Sequence, residues 1–196
     1  MSVTPALVAG TITVASSGGG RTWQNTGNVN SNDATYMTVA SPGSLDTSLF
    51  DPDNYTEYWW GTNFGASAYI GASDTLNSRT LTIRGKAGGA SSVKLFAQQI
   101  VGGVLVGDVL ELGFLTTSDQ DYSGSFTGYS LTTAEARAST TGVAFYALNG
   151  NAGATRTVSI DYVNLQYNYT AAGGGIAKLV NGGLVSSKLI NGGLAG

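Results

Sequence analysis

The sequence predicts an all-β protein, an antiparallel jelly-roll β-sandwich with extended amino- and carboxy-terminal arms. Short runs with apolar residues at spacing two recur along the chain and are bounded by Gly, Ser and Asn, as strands and their turns are. The helix-like pattern is confined to residues 132–139 (TTAEARAS), which can form no more than one turn, capped by Thr132 or Thr133. Many short, regularly spaced strands with almost no helix are typical of a sandwich.

The length of the chain fits one such domain. A chain of 196 residues buries roughly 70% of its unfolded surface when compact, which is enough for one self-supporting core. We therefore expect residues 21–170 to form the sandwich. Residues 1–20 are expected to be an arm or a first strand, and residues 171–196 a Gly-rich repeat arm.

The predicted closing strand, residues 156–170 (RTVSIDYVNLQYNYT), has the strongest alternation. Its apolar residues fall into two sets that are out of phase by one position: Val158, Ile160 and Tyr162, then Val163, Leu165, Tyr167 and Tyr169. Since alternate residues of a strand point to opposite faces, one apolar face can stay inward only if an extra residue is inserted. This predicts a β-bulge within residues 161–163. The alternative is that both faces of the strand are covered.

The other predicted strands follow from the same alternation. In chain order they span residues 6–15 (as a first strand or an arm lying on the body), 34–40, 55–64, 80–85, 93–101, 104–115 (as one or two strands around a turn), 122–131 and 142–148. The Gly- and Ser-rich residues 86–92 are typical of a hairpin-like connection between the strands on either side.

Composition indicates that part of the surface is covered in an assembly. Glycine accounts for 29 residues, about double ordinary usage, and charged residues for 11%, less than about half the usual share. Charged side chains on a protein surface oppose association with other molecules, and this chain has few of them. We therefore expect it to associate with copies of itself or with a partner.

Charge and missing residue types exclude several chemistries. The net charge is −3 and no cationic cluster exists, which argues against nucleic acid as a partner. There is no cysteine for disulfides or thiolate metal sites, and no histidine, the usual general base and metal ligand. The amino terminus does not read as a signal peptide, and no run of about 18 apolar residues predicts a membrane span. We expect a cytoplasmically synthesised protein without a cofactor and without enzymatic activity.

Several segments of the chain carry a family resemblance. These are TWQNTGNVNSNDATYMTV near the start, LTIRGKAGGASSVKLFAQQIVGGVLVG, the TAEARA turn, VAFYAL and TVSIDYVNLQY. In this order, over residues 21–170, they resemble the jelly-roll domains of bacteriophage virion proteins, which decorate capsids or sit in head fibres and tails. Carbohydrate-binding modules share the same outline. No catalytic residue carries over from the resemblance.

The resemblance implies a non-enzymatic structural protein of the virion. Its implied partners are copies of itself, in a homotrimer, and the major capsid protein or a tail or fibre component. The rival interpretation is a carbohydrate-binding module used in adsorption to the host surface. A sugar binder needs exposed aromatic rings beside hydrogen-bonding side chains, whereas a decoration protein needs apolar surface and arms that become covered.

The carboxy-terminal arm repeats a short unit in which apolar pairs are separated by Asn-Gly-Gly. Asn-Gly favours tight turns, and each unit is too small to form a core by itself. We expect the apolar residues of the arm to bind partner chains, either at their strand edges or in a bundle of symmetry-related arms. A disordered tail is the alternative. The residues concerned are Ile176, Leu179, Val180, Leu184, Val185, Leu189, Ile190 and Leu194.

Trp59 and Trp60 are a candidate sugar platform. Adjacent residues of a strand point to opposite faces, so one of the two indoles could lie exposed and stack on a sugar ring. Packing in the core or in a subunit interface is the favoured alternative.

Acidic residues offer two weaker candidates. Asp51, Asp53 and Glu57 have a partly calcium-like spacing but lack the Gly and the terminal Glu of a complete loop, so a solvated turn is favoured over a metal site. Two pairs of acidic residues could pose as glycosidase carboxylates, although polar turns explain them equally well. These pairs are Asp119 with Asp121 and Asp108 with Glu111.

Overall fold

The computed structural model describes residues 1–15, 21–40, 56–88, 92–150, 156–172, 177–180 and 183–186. All but the last two of these ranges form an all-β, antiparallel jelly-roll sandwich of two sheets, which confirms the predicted fold class. The strands are β1 (Ser2–Val3), β2 (Thr11–Ala15), β3 (Met37–Ala40), β4 (Tyr58–Thr62), β5 (Thr75–Ala87), β6 (Val93–Val101), β7 (Val104–Phe114), β8 (Gln120–Ser125), β9 (Gly142–Asn149), β10 (Thr157–Thr170), β11 (Ala177–Val180) and β12 (Gly183–Ser186). The helical elements are α1 (Thr133–Arg137) and 3₁₀ turns at Thr26–Val29 and Ala66–Ala68. None of the helices in these ranges is long and apolar enough to span a membrane.

Sheet A is organised around β10. This strand pairs with β5 on one side and with β1 and β3 on the other, and β8 follows beyond β5. In the β5–β10 register, Ile160 lies opposite Gly85 and Tyr162 opposite Arg84, so Asp161 is an extra residue. The bulge predicted within residues 161–163 is thereby confirmed, and it keeps the apolar side chains on both sides of it in the core.

Sheet B has the strand order β2-β4-β9-β6-β7. The predicted hairpin-like connection at residues 86–92 is wrong, because β5 belongs to sheet A and β6 to sheet B. The chain therefore crosses between the two layers at this point. Both strands bury alternate residues in the same core from opposite sides, so their alternation looks the same as that of a hairpin.

β7 is a single strand with two register shifts against β6: Leu112 is the extra residue at one, and the other lies at residues 107–109. Gly102 and Gly103, with φ of 60° and 79°, make the turn that leads into it from β6. Further along, residues 107–109 of β7 lie opposite the single residue Gln98 of β6. Gly107, with φ of 72°, is part of this bulge, so it does not form a second turn that would divide β7 into two strands.

Three aromatic side chains fill the centre of the sandwich. The Trp59 ring lies 5.0 Å from the Phe145 ring, and Trp23 meets Phe145 edge-on at 5.6 Å. Trp23 Nε1 donates to the carbonyl oxygen of Glu57 at 2.8 Å, so its polar end is paired. A Cβ at Gly61 would collide with the Trp59 ring. The glycine that follows the two tryptophans thus makes room for the first of them.

The amino-terminal residues contribute to both sheets. Ser2 pairs with Tyr169 at the edge of sheet A, and Leu7 forms a bridge with Leu165. β2 then pairs with β4 along sheet B. Residues 1–15 are therefore part of the sandwich rather than separate from it.

The helical turn α1 begins at the predicted cap. The Thr132 hydroxyl accepts a hydrogen bond from the Glu135 backbone N–H at 3.2 Å, and the Glu135 carboxylate accepts from the Thr132 backbone N–H at 2.8 Å. This reciprocal capping box satisfies donors that a helix of five residues could not pair internally.

In the carboxy-terminal arm, β11 and β12 form an antiparallel pair with Leu179 opposite Leu184. Four of the predicted partner-binding residues lie in these two strands: Leu179, Val180, Leu184 and Val185. The other four lie outside the described residues: Ile176, Leu189, Ile190 and Leu194. Their binding role stays a prediction.

Candidate functional site

The outer face of sheet B carries aromatic side chains where a solvated sheet would carry polar ones. Tyr58 and Trp60 on β4, Phe96 on β6 and Tyr146 on β9 alternate with buried neighbours and lie on the side of the sheet away from the core. Each of them is half-buried. We call these four residues the aromatic face.

Three of the rings form a continuous row across neighbouring strands. Phe96 pairs with Tyr146, and the pairing of Trp59 with Phe145 places Tyr58 opposite Tyr146. The Phe96 and Tyr146 rings stack at 5.2 Å with an interplanar angle of 15°, and Tyr58 meets Tyr146 at 4.9 Å and 66°. Such contacts fix each ring in one orientation. The three rings therefore form one packed surface rather than a set of independent side chains.

Trp60 occupies the adjacent row, between Thr13 of β2 and Ala144 of β9. Ala144 is 0% exposed, so the larger side chains around it close over this position. The Trp60 Nε1 atom is buried and has no hydrogen-bond partner in the part of the chain that the structure describes. An unpaired buried donor is uncommon, and here it belongs to the aromatic face.

Polar groups border the aromatic face on the side of β7. Lys94 Nζ lies 2.7 Å from the Glu111 carboxylate and 4.7 Å from the centre of the Phe114 ring. Gln98 Nε2 donates to the carbonyl oxygen of Gly107 at 2.9 Å, across the bulge. This border combines a cation, a carboxylate and an amide, so hydrogen-bond donors and acceptors lie beside the rings.

The structure separates the two predicted tryptophans. Trp59 is 0% exposed in the core, so it cannot serve as a sugar platform, and that part of the prediction is corrected. The reason is the alternation of β4, which turns Trp59 inward and Trp60 outward. Trp60 remains the candidate of the pair.

The weak metal candidate gains no support among the described residues. Asp51 and Asp53 lie outside them, and Glu57 is half-buried with its backbone carbonyl bonded to Trp23. No group of three acidic side chains able to hold a metal ion occurs in the described ranges.

The two carboxylate pairs are engaged in separate contacts. Asp119 accepts from Lys86 at 3.0 Å and Asp121 from Arg84 at 3.1 Å. In the other pair, Glu111 accepts from Lys94 at 2.7 Å and Asp108 from the Thr127 hydroxyl at 3.1 Å. Each carboxylate has a partner of its own, as expected for residues that stabilise a polar surface.

Sequence reasoning named Trp60 but missed Tyr58, Phe96 and Tyr146. The signal for Phe96 was present, because Val93 and Leu95 set the inward phase of β6 and leave Phe96 in the outward phase. For Tyr146 the signal was weaker. Both phases of the β9 sequence GVAFYALN are apolar, so alternation alone does not show which ring faces outward.

Comparisons with known proteins find a likeness at the level of the fold. No family model and no curated protein matches the chain. Among solved structures, one described as "CBM4 structure and function", a carbohydrate-binding module, is similar to it at 16% sequence identity and a TM-score of 0.41. The alignment covers 70% of this chain and 87% of the other. Both chains are β-sandwiches.

Proposed function

We propose that this protein is a non-catalytic carbohydrate-binding module whose ligand lies on the aromatic face. The observation that carries the proposal is the row of packed rings directed away from the core and bordered by hydrogen-bonding groups. A sugar ring presents C–H groups on its faces and hydroxyls around its edge. An aromatic ring can cover the C–H face of the sugar, and polar side chains at the border can bind its hydroxyls.

The shape of the site favours a chain of sugars over a single enclosed one. The rings of Tyr58, Tyr146 and Phe96 run across three strands in one row, and Trp60 widens the surface on one side. Because a sheet face is open along the row, several sugar units can lie on it at once. The ligand class that fits this surface is a polysaccharide or a cell-surface glycan.

Two variants on the aromatic face and one on the opposite sheet test the proposal. Trp60→Ala and Phe96→Ala should each weaken binding in a glycan array or an insoluble-polysaccharide assay by at least about tenfold, because each removes a ring that the ligand covers. Tyr162→Ala is the matched control. Tyr162 is a half-buried tyrosine of sheet A whose register partner is Arg84, away from the aromatic face.

Circular dichroism and thermal unfolding establish that the variants are folded. Equal binding by the folded Trp60→Ala and Phe96→Ala variants and the wild type would show that the aromatic face is not the glycan site. The same conclusion follows if no glycan binds the wild type on a broad array.

A second candidate function, assembly into a larger structure, is favoured by the edge of sheet B. On β7, Val104 is 60% exposed, and Val109 and Phe114 are each 48% exposed. Apolar side chains on an edge strand are suited to cover by another chain. In this role the protein would be a homotrimeric virion component bound to a capsid or tail protein and made in the host cytoplasm, as the sequence resemblance implies.

Light scattering separates the two candidates. Assembly predicts a stable oligomer of the 20.0 kDa chain that Val109→Lys converts to monomer while glycan binding persists. A wild type that stays monomeric at high concentration would speak against assembly through β7 and leave the glycan proposal in place.

A further inference from the structure

A pocket of about 250 Å³ has a lining that includes none of the four residues of the aromatic face. It is formed by the beginning of β5 and by the loop between β8 and α1, and its lining is Leu76, Asn77, Ser78, Arg79, Tyr129, Ser130 and Leu131. Asn77 and Ser130 are exposed, whereas Arg79 and Leu131 are buried. The pocket therefore runs from an exposed polar mouth to a buried floor.

Arg79 forms part of that floor and is only 7% exposed. One nitrogen, Nη2, donates to the carbonyl oxygen of Tyr129 at 2.9 Å, and the guanidinium lies 5.9 Å from the centre of the Phe126 ring. Its Nε atom is buried without a hydrogen-bond partner. A guanidinium has five N–H donors in a planar fork, so most of its donor capacity is unused here.

Among the residues that the structure describes, the guanidinium also has no counter-ion. None of the ion pairs among the described residues includes Arg79. The neighbouring Glu135 is already engaged, since it accepts from the Tyr129 hydroxyl at 2.6 Å and from Thr132. Asp74 accepts from the backbone N–H groups of Gly71 and Ala172. Burial lowers the pKa of Arg79, but arginine stays charged at neutral pH.

A buried cation without a partner is unusual in a protein. Buried charges are generally paired, because removing them from water is costly unless an opposite charge compensates. Here the residues lining the pocket contain one full positive charge and no negative one. An anion inside the pocket would balance the positive charge of Arg79.

We propose that this pocket binds a ligand carboxylate, with Arg79 as the residue that recognises it. A carboxylate matches the planar fork of a guanidinium in geometry, and its single charge balances the single cation. A doubly charged phosphate would leave excess negative charge beside Glu135. This site does not depend on glycan binding at the aromatic face.

The polar mouth of the pocket suits a ligand that also carries hydroxyls. Asn77 is the residue that β5 inserts at its second register shift, and its amide nitrogen donates to the Thr170 hydroxyl at 3.0 Å. Ser78 accepts from Asn168 at 2.9 Å and so keeps its own proton to donate. Acidic sugars and simple organic acids share the carboxylate chemistry and differ in these additional contacts.

Calorimetric titration of the full chain with four probes tests the site. Glucuronate should bind with a stoichiometry of one, and glucose, its neutral counterpart, at least about tenfold more weakly because the guanidinium would lose its charged partner. Acetate identifies the source: equal binding of acetate indicates that any small carboxylate suffices, and weaker binding indicates an acidic sugar. Sulfate tests whether the geometry is specific for a planar anion.

Variants of two arginines locate the binding. Arg79→Met should abolish glucuronate binding, and Arg79→Lys should weaken it, since the charge remains but the planar fork is lost. Arg21→Met, at an exposed arginine away from the pocket, should leave binding unchanged. Trp60→Ala should do the same, so failure of this site is distinguishable from failure of the glycan proposal.

A measurement on the unmodified protein covers the case in which the Arg79 variants do not fold. In a nuclear magnetic resonance titration, the Nε–H resonance of Arg79 should shift on addition of glucuronate and stay in place with glucose. Absence of that shift, absence of carboxylate binding, or preference for sulfate over both carboxylates would overturn the assignment.

Discussion

The outer faces of the two sheets are built in opposite ways. On sheet A, polar side chains of β5 pair across the register with those of β8, as Thr82 does with Ser123 at 2.8 Å and Arg84 with Asp121 at 3.1 Å. On sheet B, the corresponding positions hold rings that stack on one another, with Phe96 and Tyr146 at 5.2 Å. The inner faces of both sheets are apolar and bury one common core.

This difference shows which part of the molecule is explained by folding alone. An antiparallel sheet with one solvated face normally alternates apolar-in and polar-out, as sheet A does. Folding does not require aromatic side chains on the outer face of sheet B, and leaving apolar surface half-exposed favours association. The aromatic face of sheet B is therefore the outer surface that folding alone does not explain.

Truncation of the two adjacent tryptophans should separate the core from the aromatic face most clearly. Trp59→Ala removes a ring that is 0% exposed and should lower the free energy of unfolding by about 3–5 kcal/mol. Trp60→Ala, on the outer face, should cost only about 1 kcal/mol. Urea denaturation measures both. Equal losses in the two variants would mean that Trp60 is as much a part of the core as Trp59, and the distinction between the faces would fail.

On sheet A, removing a charge should matter only where it leaves another charge buried. Asp161 is 2% exposed, and its Oδ2 lies 3.7 Å from Arg84 Nε. Arg84→Ala should therefore lower the free energy of unfolding, but by less than breaking a fully buried pair would, because Arg84 is partly exposed. Asp121→Ala breaks only the exposed contact with Arg84 and should cost about 0.5 kcal/mol. If the double variant Arg84→Ala/Asp161→Asn does not recover most of the loss, the buried carboxylate is not its cause.

The sequence was sufficient for features that depend on local pattern. Alternation predicted the bounds of β6 and a bulge within residues 161–163, and capping chemistry narrowed the start of α1 to Thr132 or Thr133, because both signals are visible within a few residues. The sequence failed at the connection of β5 to β6, since a hairpin and a crossover between sheets can have the same composition. Which sheet a strand joins depends on contacts far along the chain, which one sequence does not display.

The candidate sites were predictable only in part for the same reason. The aromatic face combines residues of three strands, and alternation indicates that Phe96 points outward but not that it stacks on Tyr146. Arg79 lies in the inward phase that Leu81 and Ile83 set on β5, but a cation near the beginning of a strand does not by itself indicate a buried residue. Its burial results from the loop that contains Tyr129, which follows a different strand.

The polar face of sheet A should respond to acid through Asp119. Partial burial opposes ionisation of this carboxyl, but the hydrogen bond from Tyr36 and the ammonium of Lys86 outweigh it, so the pKa of Asp119 lies below its usual value. The stability that its ionised form contributes is therefore present above the unfolded pKa of about 3.9 and is lost as the pH falls through the lower folded pKa.

Asp119→Asn measures this contribution. At pH 7 the variant should be about 1 kcal/mol less stable than the wild type, and the difference should shrink as the pH falls below the usual aspartate range. Thr82→Ala, a neighbouring variant without a titrating group, should differ from the wild type by the same amount at every pH. A difference for Asp119→Asn that does not depend on pH would exclude the proposed ion pair as its source.

Deletion of residues 173–196 should have the smallest effect on the stability of the sandwich, and it decides whether the arm or the edge of sheet B holds copies together. The pair β11–β12 is a two-stranded hairpin, which is marginally stable by itself in water. Burying four apolar side chains of the arm would contribute about 6–12 kcal/mol, whereas fixing its backbone costs roughly 20 kcal/mol or more. Contacts with a partner must supply the difference if the arm is to order fully.

We therefore expect an almost unchanged melting temperature for the truncated chain, together with loss of any oligomer seen by light scattering. An oligomer that survives truncation but is lost in Val109→Lys would instead assign assembly to the edge of sheet B, beside the aromatic face.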